Sequence, residues 1–426
     1  MKVLLLGAGG REHALAWSLT RDPSVELLGI PGNPGIGTMG DLLPGDPSDI
    51  PTVLEAARRF EPHLVLVGPE APLVAGIGDA LRQAGYPVFG PDNAAARIEG
   101  SKRHAKALMA AAGIPTARAA SFSQVDDAVR FMDELGAPYV IKADGLAAGK
   151  GVVVTSDRAE AIEALRDRLE RGSFGAAGDS VLVEEFLEGE ETSLIAFTDG
   201  TDVAPCEPAQ DYKRALDADA GPNTGGMGSY SPVPACSPDL AARIVDEVIV
   251  PMVRTTASRG APFVGALYAG LALTPSGPRV IEFNARFGDP ETQALLPRLT
   301  SNLADVCLAA ATGSLAGVEL AWSADRCVSV VLASGGYPGP HDQGLVIDGV
   351  EDADARPGVQ VFHAGTAIKD GSLVTSGGRV LAVSALGSDF AAARRAAYDA
   401  AEMITFEGKH ARSDIGERAI EAEVSA

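Results

Sequence analysis

The stretch VIKADGLAAGKGVVV, residues 140–154, restricts the fold more than any other part of the chain. Two β-branched apolar runs flank a turn of glycines and alanines, with no room for a helix between them. The pair therefore reads as a hairpin and not as a strand–helix crossover. Lys142 lies inside the first run and projects from one face only. A lysine so placed needs an anion to meet. Gly145, Gly149 and Gly151 let backbone N–H groups approach a ligand closely, and Lys150 adds a second cation at the tip. The combination suits a polyphosphate. It is not a Walker A loop: GLAAGKG has one residue too few between its glycines, Gly151 stands where Ser or Thr belongs, and a strand follows.

The first hundred residues alternate short apolar runs (VLLLG, VELLGI, PHLVLVG, YPVFG) with helical patterns, which predicts a parallel sheet in an α/β layer. GAGGREH at 7–13 resembles a dinucleotide fingerprint, but Glu12 occupies the third glycine position. Ile30 and Pro31 stand where the ribose-binding acid belongs, so nicotinamide binding is not expected. What remains is a generic site for phosphate or carboxylate at a helix N-terminus. Further on, helices are expected from Ser101, over 158–171, 238–259 and 292–313, and at 389–403, where the last one closes the chain. Strands are expected at 180–187, 190–200, 265–274 and 279–287. Residues 210–234, rich in Gly, Pro, Asn and Asp, read as a long functional loop.

At 426 residues and 46% hydrophobic content the chain can build more than one domain. Lys and Arg total 35 against 57 Asp and Glu, a net charge of −22, which disfavours general binding to nucleic acid or anionic membrane. An anionic ligand must then be met by local cations. The four cysteines form no CxxC pair, so neither a disulfide framework nor a zinc site is expected. MKVLLLGAGG runs straight into a strand, and no 18-residue apolar segment appears; a cytoplasmic protein is expected.

IEFNARFGDPE carries the second chemical signal. Glu282, Asn284 and Arg286 are spaced i, i+2, i+4, so a strand through 287 would point them to one face. A carboxylate and an amide oxygen are hard ligands suited to Mg²⁺. A guanidinium beside them can grip a carboxylate or acyl phosphate. VEEFLEGEE at 183–191 reads either as an acidic surface patch or as a strand exit whose free backbone groups meet an adenine edge.

In this order, IKADGLAAGKG, EEFL…E and EFN resemble the ATP-grasp ligases. With GREHALAW, VGPEAPLVAGI, GSK, GPNTGGMGSYSP, EFNARFGDPETQ and ASGGYPG, the chain more narrowly resembles the phosphoribosylamine–glycine ligases of purine biosynthesis, over residues 1 to about 420. The resemblance implies an α/β (in part α+β) chain. It would have an N-terminal α/β substrate domain at 1–100, an ATP-grasp domain at 101–320 with a mobile subdomain near 115–187, and a small mixed α/β domain at 321–426. It implies ATP held by Lys102, Lys142, Gly145, Gly149, Lys150 and Gly151, with adenine on the Glu184, Glu185, Phe186, Leu187 backbone and ribose on Glu191 or Glu190. Glu282 and Asn284 would hold Mg²⁺ or Mn²⁺. Arg286 would bind the glycine carboxylate or its acyl phosphate and, with Lys142, act in catalysis. Asp211, Lys213 and Asn223 would line the glycine and ribosylamine sites. Gly9, Gly10 and the turn Gly68, Pro69, Glu70 would contact the phosphoribosyl group. Small-molecule partners only, and a monomer or weak dimer, are expected.

Overall fold

The computed structural model describes residues 1–146, 151–171 and 180–425. Gly149 and Lys150 therefore lie outside the described residues. Four main sheets and flanking helices build the chain, and no helix among the described residues is long and apolar enough to cross a membrane.

The N-terminal sheet is parallel, in the order Asp41–Leu42, Glu26–Pro31, Lys2–Gly7, Leu64–Val67, Val88–Phe89. Val3, Leu4, Leu5 and Leu6 are fully buried, as a strand covered on both faces requires. The sequence order reverses beside Lys2–Gly7, which opens a crevice at the strand ends. That crevice is filled from within. The Gly9 N–H donates to the Glu12 carboxylate at 2.6 Å, and a Cβ on Gly68 would lie 2.1 Å from a Glu12 oxygen. The residue that breaks the dinucleotide fingerprint thus packs into the turn between Gly9 and Gly68.

A small antiparallel sheet follows, ordered Ala119–Phe122, Val181–Glu184, Tyr139–Ala143, Val152–Thr155. The expected hairpin is present, with Val140 opposite Val154 and Lys142 opposite Val152. This sheet has its own apolar core, in which Ile141, Val181 and Val183 pack on Met132 and Leu165 of two helices. The central antiparallel sheet runs Val203–Pro205, Glu190–Asp199, Val264–Thr274, Gly277–Asn284. The C-terminal one runs Gln210–Asp211, Gly228–Ser231, Arg326–Ala333, Arg379–Gly387, Val359–His363.

Several expectations need correction. Residues 210–234 are not an irregular loop: Arg214–Leu216 and Ala220–Asn223 form a hairpin, and Gly228–Ser231 is an inner strand of the C-terminal sheet. Gly228 is needed there because a Cβ would come within 2.7 Å of Ser329 O. The helix expected over 238–259 contains a π-helical turn at Val245–Ile249. Pro251 lacks the N–H to continue the regular ladder. The helix expected over 292–313 breaks after Leu295 ahead of Pro297 and restarts at Leu303, capped by Asn302. A further helix, Glu417–Ser425, follows the one at Phe390–Met403.

The N- and C-terminal sheets are joined at His13. Its Nδ1 accepts the His363 N–H at 2.7 Å, while Asn33 Nδ2 donates to Ala8 O and to His363 O, each at 2.8 Å. Burial, with His363 nearby, pushes the His13 imidazole down to about 3, and burial lowers His363 to about 4.

Two predictions follow from this packing. Because the small sheet has a separate core, Ile141→Ala should cost ~2–5 kcal/mol and do so locally. Hydrogen exchange should speed up across Val181–Glu184 while Val3–Leu6 stay protected; equal acceleration in both would refute a separate core. Because both histidines bind protons more readily when unfolded, stability must fall as pH drops below about 6.5 and continue to fall toward their folded values. Each contributes a slope of at most ~1.4 kcal/mol per pH unit. Urea midpoints measured from pH 6.5 to 5 should fall less steeply for His13→Gln than for the parent chain.

Candidate functional site

The small sheet, the central sheet and the ends of the other two enclose a cleft of about 920 Å³. On one wall, Lys142 lies buried on its strand, 2.8 Å from the Glu184 carboxylate, and donates to Ile281 O at 3.2 Å. Lys106 meets the other Glu184 oxygen at 3.2 Å. Lys102 starts the helix Lys102–Ala112, whose N-cap Ser101 accepts the His104 N–H, and its Nζ reaches Gly145 O at 3.2 Å. Burial lowers both Lys102 and Lys106, opposed by Glu282 in the first case and by Glu184 in the second. The anion that Lys142 needs is thus supplied by Glu184, whose side chain turns inward instead of following the exposed Phe186. Glu185 is held by Arg279 at 3.1 Å. Gly145, Gly151 and the run Glu184, Glu185, Phe186, Leu187 all line the cleft.

Facing this wall, the last strand of the central sheet ends at Asn284, not at 287. A bulge puts Gly270 opposite Glu282 but Leu271 opposite Val280. Glu282 and Asn284 still emerge on the cleft side. Arg286 lies past the strand, so alternation does not aim it. Its guanidinium is aimed by Glu99 at 2.9 Å and Glu70 at 3.2 Å. Burial works against the Arg286 charge, but Glu99 and Glu70 outweigh it and hold the guanidinium firmly protonated. Burial would likewise raise Glu282, yet Lys213, Lys142, Lys102 and Arg286 together hold it below the usual carboxylate range. Among the described residues no group of three or more His, Cys, Asp or Glu side chains stands ready as a complete metal cage. The donor set of one ionised carboxylate and one amide oxygen fits an ion that takes its remaining oxygens from substrate phosphates and water.

A third face carries Asp211, Lys213 and Asn223. Lys213 pairs with Glu191 at 2.6 Å. Burial raises Asp211 to about 7 against the pull of Lys213. Pro69 and Glu70 line the cleft, whereas Gly9 and Gly68 pack on the Glu12 side chain and Gly10 on Gln293.

Sequence reasoning passed over several lining residues. Glu291, buried at the start of its helix, accepts from Ser193 at 3.0 Å and from Tyr268 at 2.9 Å. Arg11 donates to Phe287 O at 3.1 Å. Lys106 lies one helical turn after Lys102, a spacing that was available as a signal. Tyr337 and Arg379 come from the C-terminal region; Tyr337 lies in the ASGGYPG block, and Arg379 had no signal.

Comparisons agree along the whole chain. Three family descriptions match it in succession: the phosphoribosylglycinamide synthetase N domain at 1–99, its ATP-grasp (A) domain at 100–292 and its C domain at 327–418. The chain is 52% identical over 423 residues to a phosphoribosylamine–glycine ligase of Streptomyces coelicolor, covering 98% of this chain and 99% of that one. It is 48% identical over 427 residues to one of Vibrio parahaemolyticus, covering 99% of each. A crystal structure of phosphoribosylamine–glycine ligase from Thermotoga maritima superposes with a TM-score of 0.85 at 34% identity, over 97% of this chain and 100% of that chain. A biotin carboxylase domain from Hydrogenobacter thermophilus, in complex with MgADP and bicarbonate, shares the fold alone. It gives a TM-score of 0.73 at 15% identity, over 96% of this chain and 91% of that one. With three matched domains in order and half of all residues shared with full-length relatives, the chain belongs to the phosphoribosylglycinamide synthetase family.

Proposed function

We propose that this chain joins glycine to 5-phosphoribosylamine, giving glycinamide ribonucleotide, ADP and phosphate, as a carbon–nitrogen ligase of purine biosynthesis. The observation that carries the reading is one cleft in which Lys102 and Lys142 face Glu282 and Asn284, with Arg286 beside them, in a chain of this family.

A carboxylate is a poor electrophile, so it must be activated. The γ-phosphoryl group of ATP passes to a glycine carboxylate oxygen, and ADP leaves. The ribosylamine nitrogen then attacks the acyl carbon of glycyl phosphate. The C–O bond to phosphate breaks, and the nitrogen proton departs with the phosphate. No protein nucleophile is needed. Catalysis consists of positioning and of cations placed where negative charge gathers.

In this reading Lys102, Lys142 and the glycine-rich stretch 145–151 hold the triphosphate. The backbone of Glu184–Leu187 meets adenine and Glu191 meets ribose. Glu282 and Asn284 would hold Mg²⁺ or Mn²⁺, which when bound neutralises charge on the β- and γ-phosphates. Arg286, rigidly held by Glu70 and Glu99, offers its fork to the glycine carboxylate. Asp211, Lys213 and Asn223 line the two small-substrate sites, and Glu291 adds a carboxylate for the glycine ammonium. Because the Gly9 N–H is taken by Glu12, the phosphoribosyl group falls to Arg11, Pro69 and Glu70. The small sheet, about 115–187, acts as the part that closes on the nucleotide. The working division is 1–100, 101–320 and 321–426.

ADP release from Mg-ATP should require both glycine and phosphoribosylamine generated in place, with glycinamide ribonucleotide formed in equal amount. ADP release with some other carboxylate or amine would refute the substrate assignment. Glu282→Ala should lower kcat by ~10²-fold or more. Arg286→Lys should raise KM for glycine ~tenfold with KM for ATP little changed.

A further inference from the structure

The C-terminal sheet reaches the cleft through Arg379 and Tyr337. Arg379 opens the strand Arg379–Gly387. Its Nη1 donates to Gly225 O at 2.8 Å and to Asp289 O at 2.9 Å, and lies 3.2 Å from the Asp289 carboxylate. Tyr337 Oη accepts the Gly225 N–H at 3.0 Å. Both backbone polar groups of Gly225 are therefore gripped by side chains from one distant region. The fit is close. A Cβ on Gly225 would lie 3.0 Å from the Arg379 guanidinium carbon, and one on Gly226, at φ +116, only 2.3 Å from Pro290. A Cβ on Gly378 would fall 2.3 Å from the Tyr337 ring.

The two segments that meet at Arg379 carry substrate-facing groups. Asn223 and Thr224 lead into the first. Arg286 and Glu291 bracket the second. Asp289 also accepts from Gln293 at 2.7 Å, and Gln293 packs against Gly10 in the N-terminal turn. All three contacts run through Nη1, and the guanidinium charge is met by the Asp289 carboxylate.

We propose that Arg379 and Tyr337 form a positioning clamp that fixes the 223–227 segment against the 286–290 segment and so sets the place where the amine meets the acyl phosphate. The proposal rests on the ligase reading above. Among the described residues no hydrogen bond or ion pair joins Arg379 or Tyr337 to Lys102, Lys142 or Glu184, so the clamp acts first on acyl transfer.

The test uses the full chain with Tyr337→Phe, Arg379→Lys and Arg379→Gln, counting ADP and glycinamide ribonucleotide separately. KM for phosphoribosylamine should rise at least ~tenfold for Arg379→Gln, with KM for ATP unchanged. ADP should exceed product, because acyl phosphate left waiting is lost to water. Arg379→Lys should restore part of the coupling. The double variant Tyr337→Phe/Arg379→Gln should fall short of additivity, since both residues hold Gly225. Unchanged KM with one ADP per product would overturn the clamp. So would a fall in kcat alone, in step with the folded fraction. If Arg379→Gln does not fold, Tyr337→Phe, which removes a single oxygen, decides the matter by the same ADP-to-product ratio. A parent chain that makes no glycinamide ribonucleotide would instead refute the ligase reading itself.

Discussion

The buried carboxylate of Glu184, held between Lys142 and Lys106, is the interaction on which the cleft depends. Three charges out of water persist only if each is paired. The pairing locks together the strand Val181–Glu184, its neighbour Tyr139–Ala143 and the helix Lys102–Ala112. Two cations against one anion leave this wall net positive. In a chain of net charge −22, that local excess is what lets a polyphosphate approach at all. The opposite wall repeats the arrangement with signs exchanged: Arg286 sits between Glu70 and Glu99. Burial raises Glu99 even so, against the pull of Arg286 and, more weakly, of Arg11.

The site sits where sheets end. Past each exit the next backbone N–H takes a new partner: Glu185 donates to Arg118 O, Tyr212 to Gly228 O and Ala285 to the Glu99 carboxylate. Glu184, Asn284 and Asp211 each stand at the last residue of a strand. The apolar strand interiors fix these positions, and the polar exits do the chemistry.

Much of this was legible in the sequence. The parallel N-terminal layer, the Lys142 hairpin and the Glu282–Asn284 pair are local patterns with period two or with strand–helix alternation, and they survive any tertiary arrangement. What was not legible depends on contacts far apart in the chain. The segment 210–231 has the composition of a loop, yet its strands exist because Gly228–Ser231 finds Arg326–Ala333 a hundred residues later. Arg286 was placed on a strand that in fact stops at Asn284, and it reaches the cleft through Glu70 and Glu99 instead. In the sequence Glu12 marks only a missing glycine; in the fold its carboxylate accepts the Gly9 N–H. Tyr337 stands in the ASGGYPG block but its partner is not local, and Arg379 carries no local mark, since each acts through the backbone of Gly225.

The most direct test of the account is the fate of the glycine oxygens. With glycine labelled by ¹⁸O in both carboxylate positions, activation through glycyl phosphate must carry one labelled oxygen into each inorganic phosphate released with product. Mass analysis showing that single transfer is the result the account predicts. Unlabelled phosphate formed alongside glycinamide ribonucleotide would contradict it, because the carboxylate would then never have borne the phosphoryl group.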